Sequence, residues 1–139
     1  MRASILYRIS SVLILLFAIG HTLGFRKVDP AWGVDQALAV LKQTTFPVQG
    51  FDRTYYGFYV GFGYFVTVFM LFTAVVTWEL ARLPLATLKQ LPWLTWGLAL
   101  AYAGSLLISG RYFFMAPLIF SILIFLCLAA AAIAARKSQ

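Results

Sequence analysis

Charged residues are scarce in this sequence of 139 residues. Asp, Glu, Lys and Arg together make up 11% of it, whereas 63% of the residues are hydrophobic. Soluble globular domains carry about a quarter charged residues. The imbalance is also one of sign, because four acidic residues stand against eleven Lys and Arg, a net charge of +7. This composition excludes a disordered protein and most cytosolic enzymes. The length excludes several large domains.

Histidine and cysteine are almost absent, with one residue of each type, His21 and Cys127. One cysteine cannot make a disulfide scaffold, and the pair cannot make a zinc site, which needs three or four ligands. One histidine cannot supply both axial ligands of a haem. Neither a Gly-Lys-Ser/Thr phosphate loop nor a Gly-x-Ser-x-Gly nucleophile motif is present. We therefore expect no metal and no such cofactor, and the scattered cations indicate no nucleic-acid partner.

Four long stretches contain no charged residue at all. They have 17, 25, 21 and 24 residues and cover 9–25, 54–78, 90–110 and 112–135. A helix needs about 20 apolar residues to cross a bilayer, and inside it the backbone must bond to itself. The sequence therefore predicts an all-α fold, a bundle of four transmembrane helices forming a single integral membrane domain over residues 1–139. The predicted spans are 5–25, 54–79, 91–110 and 114–135.

A short amphipathic helix is predicted between the first two spans, over residues 30–44. Asp29-Pro30 is a favourable helix start, because Asp caps and Pro fits the first turn. Apolar residues then recur at i, i+3, i+4 and i+7, with Trp32 as an anchor at the membrane interface. The apolar positions are Val34, Ala37, Leu38 and Leu41.

The placement of Lys and Arg bears on orientation. With four spans, six of the cations lie on the side of the termini and five on the other side. Because positive loops favour the cytoplasm, we expect both termini to be cytoplasmic, in what we interpret as a bacterial inner membrane. Six against five is a narrow difference.

The second span has two patterned faces. Aromatic residues recur at spacings of 3 and 4, which is typical of a helix packed against a neighbour, of lipid-facing rings, or of a ring-rich groove for an apolar ligand. Small residues also recur, and Gly-xxx-Gly pairs let helices approach closely. The aromatic positions are Tyr55, Phe58, Phe62, Phe65, Phe69 and Phe72, and the expected helix-packing glycines are Gly20, Gly24, Gly57, Gly61, Gly97 and Gly104.

Several polar side chains are expected together on the side opposite the termini. His21, Asp52 and Arg53 are the candidates for catalysis, since a His–Asp pair with an Arg could move a proton or hold an anionic head group. Structural roles compete: His21 bonded to a backbone carbonyl, Asp52 capping the second span, Arg53 reaching phosphates. A ligand there would be bound by Tyr55, Tyr56, Phe58, Phe62, Phe65 and Arg111. At the other end, Glu79 is expected to pair with Arg82 or Arg8.

Two segments carry a resemblance to known proteins. Gly20-His21-Thr22-Leu23-Gly24 ends the first span, and the stretch GFDRTYYGFYVGFG over residues 50–63 opens the second. With the four-span plan, they resemble small uncharacterised bacterial membrane proteins, broadly the DoxX-like group. The resemblance implies a compact four-helix membrane bundle and brings no activity to particular residues.

Three functions remain open from the sequence. The first is a non-enzymatic subunit or helper that acts through helix contacts, with another membrane chain or a second copy as partner and with lipids around it. The second is a binder or enzyme for a lipid-like molecule (a quinone, isoprenoid or sterol-like compound) that uses His21, Asp52, Arg53 and Tyr56. A pore or transporter is the least favoured, because no polar lining is visible.

Overall fold

The computed structural model describes residues 2–137, and most of them are helical. Four of the helices are long and apolar enough to cross a membrane, which is the character of an integral membrane protein. The prediction of a helical chain with four such spans is confirmed, and the predicted bounds differ from the observed ones by at most three residues. The elements are α1 (Arg2–Gly24), α2 (Asp35–Gln43), β1 (Thr45–Val48), β2 (Phe51–Thr54), α3 (Tyr55–Leu80), α4 (Leu85–Gln90), α5 (Pro92–Tyr112) and α6 (Met115–Lys137).

The amphipathic helix is shorter than predicted. Residues Pro30–Trp32 form a separate 3₁₀ turn, whose start Asp29 caps by accepting a hydrogen bond from the backbone N–H of Ala31 at 2.9 Å. Gly33 then adopts a left-handed conformation with φ 62°, which breaks the helical path before α2 begins at Asp35. The apolar periodicity begins only at Val34, after this break, and the earlier start was predicted from the Asp29-Pro30 cap, which belongs to the 3₁₀ turn instead.

The hairpin of β1 and β2 was not predicted. Thr45 pairs with Thr54 and Val48 with Phe51, so a loop of two residues joins the strands. Both loop residues have positive φ, 50° at Gln49 and 85° at Gly50. This is the backbone of a type I′ turn, whose twist matches that of the paired strands. The short helix α4 was likewise not predicted, because its six residues are too few for a periodic pattern.

The chain divides into two compact units. We call residues 2–18 and 70–137 of the described chain the terminal unit, and residues 19–69 the loop unit. In the terminal unit, α5 and α6 make the most extensive helix contact. Its core combines fully buried large side chains with buried hydroxyls. The former are Tyr7, Ile14, Ile124 and Leu128, and the latter are Ser10, Ser11, Thr77, Thr95, Ser109 and Ser121.

Two serines of α1 bond to backbone carbonyls within the terminal unit, one in the last part of α3 and one directly after its end. Ser4 donates to the carbonyl of Ala81 at 2.5 Å, and Ser11 donates to the carbonyl of Ala74 at 2.7 Å. The two serines are seven residues apart, and so are the two acceptor residues. The later serine bonds to the earlier acceptor, as expected for antiparallel segments. These two bonds therefore lie about two helical turns apart along an antiparallel pair.

The glycines expected to pack helices closely do not do so within the chain. A Cβ built on five of the six would meet no heavy atom within 4 Å, and on the sixth it would meet only the nearby Thr54 hydroxyl at 3.2 Å. Helix contacts in the terminal unit are made instead at buried alanines and hydroxyls. The five open positions are Gly20, Gly24, Gly61, Gly97 and Gly104, and the sixth is Gly57.

Candidate functional site

The end of α1 and the first half of α3 are joined by polar contacts within the loop unit. His21 donates from Nε2 to the carbonyl oxygen of Gly63 at 3.0 Å. Because a carbonyl only accepts, this nitrogen carries a hydrogen. The hydroxyls of Thr22 and Thr67 lie 2.9 Å apart, and Thr67 donates to the same Gly63 carbonyl at 3.2 Å. His21 is therefore bonded to a backbone carbonyl, which is the structural role that the sequence predicted as an alternative to catalysis.

The ring of Phe25 covers this junction. It stacks on the His21 ring with centroids 5.1 Å apart, and it meets the Tyr64 ring edge-on at 5.5 Å. Its backbone carbonyl accepts a hydrogen bond from the Tyr59 hydroxyl. The ring lies so close to Gly63 that a Cβ at that position would be 2.4 Å from Phe25 Cε2. Of residues 19–69, Gly63 alone is buried, and any larger residue there would require the Phe25 ring to shift.

A cavity of about 270 Å³ opens beside this junction, between α2, the 3₁₀ turn, the segment that follows α1 and the start of α3. Its walls are mainly apolar and aromatic, which is typical of pockets for small organic ligands. The apolar face of α2 forms one side. The lining residues are Phe25, Arg26, Lys27, Val28, Trp32, Val34, Leu38, Leu41, Tyr55, Tyr56 and Tyr59.

The charges of the cavity are positive only. Arg26 and Lys27 are in the lining and no acidic residue is. The Arg26 guanidinium lies over the rings of Phe25 and Tyr64, 5.7 and 5.5 Å from their centroids, so it is held by cation–π contacts. The Lys27 ammonium makes no salt bridge or cation–π contact with any residue of 2–137. Lys27 is therefore the cation with all three donors available to a ligand.

The predicted catalytic group does not assemble around His21. Asp52 and Arg53 lie on β2, where the Arg53 guanidinium donates to the backbone carbonyl of Asp52 at 2.8 Å. Within residues 2–137, neither of them bonds to His21. Asp52 does not cap α3 either, because the strand continues to Thr54, whose hydroxyl accepts from the backbone N–H of Gly57 at 2.9 Å.

The expected ligand-binding residues are only partly brought together. Tyr55 and Tyr56 line the cavity, and the Lys42 ammonium sits 4.9 Å from the centre of the Tyr56 ring. Phe58, Phe62 and Phe65 are not in the lining. Phe58 instead packs on Phe46 of β1. Arg111 belongs to the terminal unit, where its guanidinium lies 5.6 Å from the ring of Tyr112.

At the end of α3, Arg82 Nη1 lies 3.2 Å from Glu79 Oε1, in an exposed pair. Arg8 lies over the Trp78 ring, 6.0 Å from its centroid. The sequence predicted Arg82 or Arg8 as the partner of Glu79. Arg82, three residues further along the chain, is the one that pairs with it. An exposed pair of this kind contributes little to stability.

Apart from Tyr55 and Tyr56, the residues that line the cavity were not predicted from the sequence. The apolar face of α2 was recognised, but it was assigned to the membrane surface rather than to a pocket wall. Lys27 and Arg26 were counted only as membrane-surface charge. A usable signal existed in Phe25-Arg26-Lys27, an aromatic residue and two cations directly after a span and opposite an amphipathic helix.

No group of three or more His, Cys, Asp or Glu residues in the described part of the chain could hold a metal ion. No family model, curated protein or solved structure matches the chain. The resemblance to the DoxX-like group therefore stays a prediction. The chemistry of the site has to be inferred from its geometry, which is that of a ring-walled cavity with one uncommitted ammonium.

Proposed function

We propose that this chain binds a lipid-like molecule with an oxygen-rich, preferably anionic head in the cavity of the loop unit. The observation that carries the proposal is the lining: aromatic and aliphatic walls around two cations and no acid. An ammonium and ring faces suit a phosphate or carbonyl head followed by an apolar chain. A polyprenyl phosphate fits this description best, and a quinone fits it in part.

The volume supports binding of the head and the first part of the chain only. A cavity of about 270 Å³ is slightly smaller than the usual range for ligand sites. The rest of an isoprenoid chain would leave the cavity for the surrounding lipid. This division of the ligand is consistent with the position of the cavity at the ends of two candidate spans.

The proposal places the four long helices as one bundle across a bacterial inner membrane, with both termini in the cytoplasm. The length and apolar character of the helices support the crossing, and the distribution of Lys and Arg supports the orientation. The cavity would then lie at the outer interface. An enzymatic step is not part of the proposal, which concerns binding alone.

Lys27→Gln is expected to weaken binding of a polyprenyl phosphate roughly tenfold, because a hydrogen bond to a charged group contributes on the order of 1.5 kcal/mol. Equilibrium binding to the full chain in detergent micelles measures it. A neutral polyprenol of the same length should bind equally to both proteins. Lys89→Gln, on α4, removes one charge outside the cavity and is the control.

Two results would contradict the proposal. One is binding of the phosphate that is unaffected by Lys27→Gln. The other is an equal loss in the Lys89→Gln control, which would mean that net charge alone attracts the ligand. If the protein binds a quinone more tightly than the polyprenyl phosphate, the cavity is still the binding site, but the head group that it recognises is a carbonyl rather than a phosphate.

A second function is favoured by a different observation, and we propose it as the alternative: docking of another membrane chain, or of a second copy, on α3. Phe62, Phe65 and Phe69 share one face of α3 and are 66, 63 and 64% exposed. Gly61 has open space where a Cβ would be. In a helper or subunit, such rings and gaps would be covered by a partner helix.

For this alternative we expect the double variant Phe65→Ala, Phe69→Ala to shift the protein from dimer to monomer in lipid nanodiscs, measured by native mass spectrometry. The matched control is the double variant Leu123→Ala, Leu126→Ala, which likewise replaces two exposed apolar side chains by alanine, but on α6. A protein that is monomeric before any substitution would contradict self-association, and the rings would then simply face lipid.

A further inference from the structure

A second open groove lies in the terminal unit, far along the chain from the cavity. It has a volume of about 460 Å³ and is lined by the start of α1 and the end of α6. Both helices are candidate spans, so their ends mark a boundary between lipid and water. The lining residues are Arg2, Ala130, Ile133, Ala134 and Lys137.

The floor of the groove is apolar and runs along α6. Ala130, Ile133 and Ala134 follow the i, i+3, i+4 spacing of one helix face. From Ala130 to Lys137 the helix rises about 10 Å, which is roughly the length of a glycerol backbone with the first carbons of an acyl chain. Small side chains at two of the three floor positions leave room for such a chain.

The rim of the groove is cationic. Arg2 and Lys137 are exposed, and neither makes a salt bridge or a cation–π contact with another residue of the described chain. The acid of the terminal unit is Glu79, and it is already paired with Arg82 at 3.2 Å. Two cations that pair with no acidic side chain of residues 2–137, above an apolar floor, match a phosphodiester above a hydrocarbon chain.

We propose that this groove binds one anionic phospholipid, with its phosphate between Arg2 and Lys137 and an acyl chain on the floor formed by Ala130, Ile133 and Ala134. A lipid fits better than a free phosphate, because a free anion would leave the apolar floor bare. The site is independent of the cavity in the loop unit, and it does not need a ligand there.

The test uses the full chain in nanodiscs that contain phosphatidylcholine and a minor fraction of phosphatidylglycerol. Native mass spectrometry after gentle release counts the phosphatidylglycerol molecules that stay bound. We expect one retained molecule, and we expect the double variant Arg2→Gln, Lys137→Gln to weaken its retention roughly tenfold or more, since each cation near an anionic lipid contributes about 1 kcal/mol.

Two further variants separate this site from general surface charge. Lys89→Gln with Arg136→Gln removes the same charge from the terminal unit outside the groove and should leave retention unchanged. Ala130→Phe fills the floor and keeps both cations, and it should also displace the lipid. Equal losses in the charge control, or full retention in Ala130→Phe, would overturn the proposal. So would displacement of the lipid by millimolar inorganic phosphate, which would show that the floor contributes nothing.

Discussion

Gly63→Ala is expected to destabilise the loop unit by about 1–3 kcal/mol, the usual effect of overpacking. The new methyl group would lie 2.4 Å from Phe25 Cε2, so the ring has to move. The ring cannot move without losing its stacking on His21 and its edge contact with Tyr64. Since Phe25 also lines the cavity, ligand binding should weaken together with stability.

The chain offers a matched control for this substitution two residues away. Gly61 is on the same helix, and a Cβ there would meet nothing within 4 Å, so Gly61→Ala should be neutral or slightly stabilising. Hydrogen exchange of the amides in residues 19–25 reports the effect on the end of α1. The double variant Phe25→Ala, Gly63→Ala should lose the steric conflict. If Gly63→Ala and Gly61→Ala behave alike, Phe25 does not cover Gly63 as described.

Leu128→Ala is expected to lower the free energy of unfolding by about 2 kcal/mol, at the lower end of the range for such truncations. The side chain is fully buried in the core of the terminal unit. In lipid or detergent the transfer of apolar atoms from water adds little, so the loss comes from packing that the remaining residues cannot restore. Equilibrium unfolding of the chain in mixed detergent micelles measures it.

Leu126→Ala provides the comparison. It removes the same atoms from the same helix, but its side chain is 56% exposed and should face lipid. The expected change in the free energy of unfolding is a few tenths of a kcal/mol at most, as for a surface substitution. Similar effects at both positions would mean that α6 presents a different face to the core.

The spans were predictable because a bilayer imposes one simple requirement on the sequence. A stretch such as 54–78 contains no charge for 25 residues, and the observed helix α3 follows it within a residue or two. Short elements produce weaker patterns in the sequence than long spans do. The hairpin depends on two positive φ values at Gln49 and Gly50, and a Gln-Gly pair is not among the strong signals for such a turn.

The candidate site was harder to predict, because a cavity depends on how elements meet. Helical rise places His21 near the membrane boundary, but it cannot say which residue the ring faces. The sequence favoured Asp52 only because it was expected at the same depth as His21, whereas Asp52 lies on β2 and His21 bonds to the Gly63 carbonyl. Lys27 was overlooked because a cation beside a membrane is usually solvated. Its interest depends on Trp32 and α2 lining the same cavity, which no local pattern encodes.

The two bonds from serines of α1 to the end of α3 and the residue after it have a mechanical consequence. Because Ser4 and Ser11 hold carbonyls two turns apart, sliding one helix lengthwise past the other breaks both bonds together. The Ser11 hydroxyl could fall back on the carbonyl four residues earlier in its own helix, as Ser10 does with Leu6. Lengthwise sliding therefore gives up two bonds between segments in return for local bonding only, and a movement of the protein that hinges or tilts elsewhere is favoured over a piston along this pair.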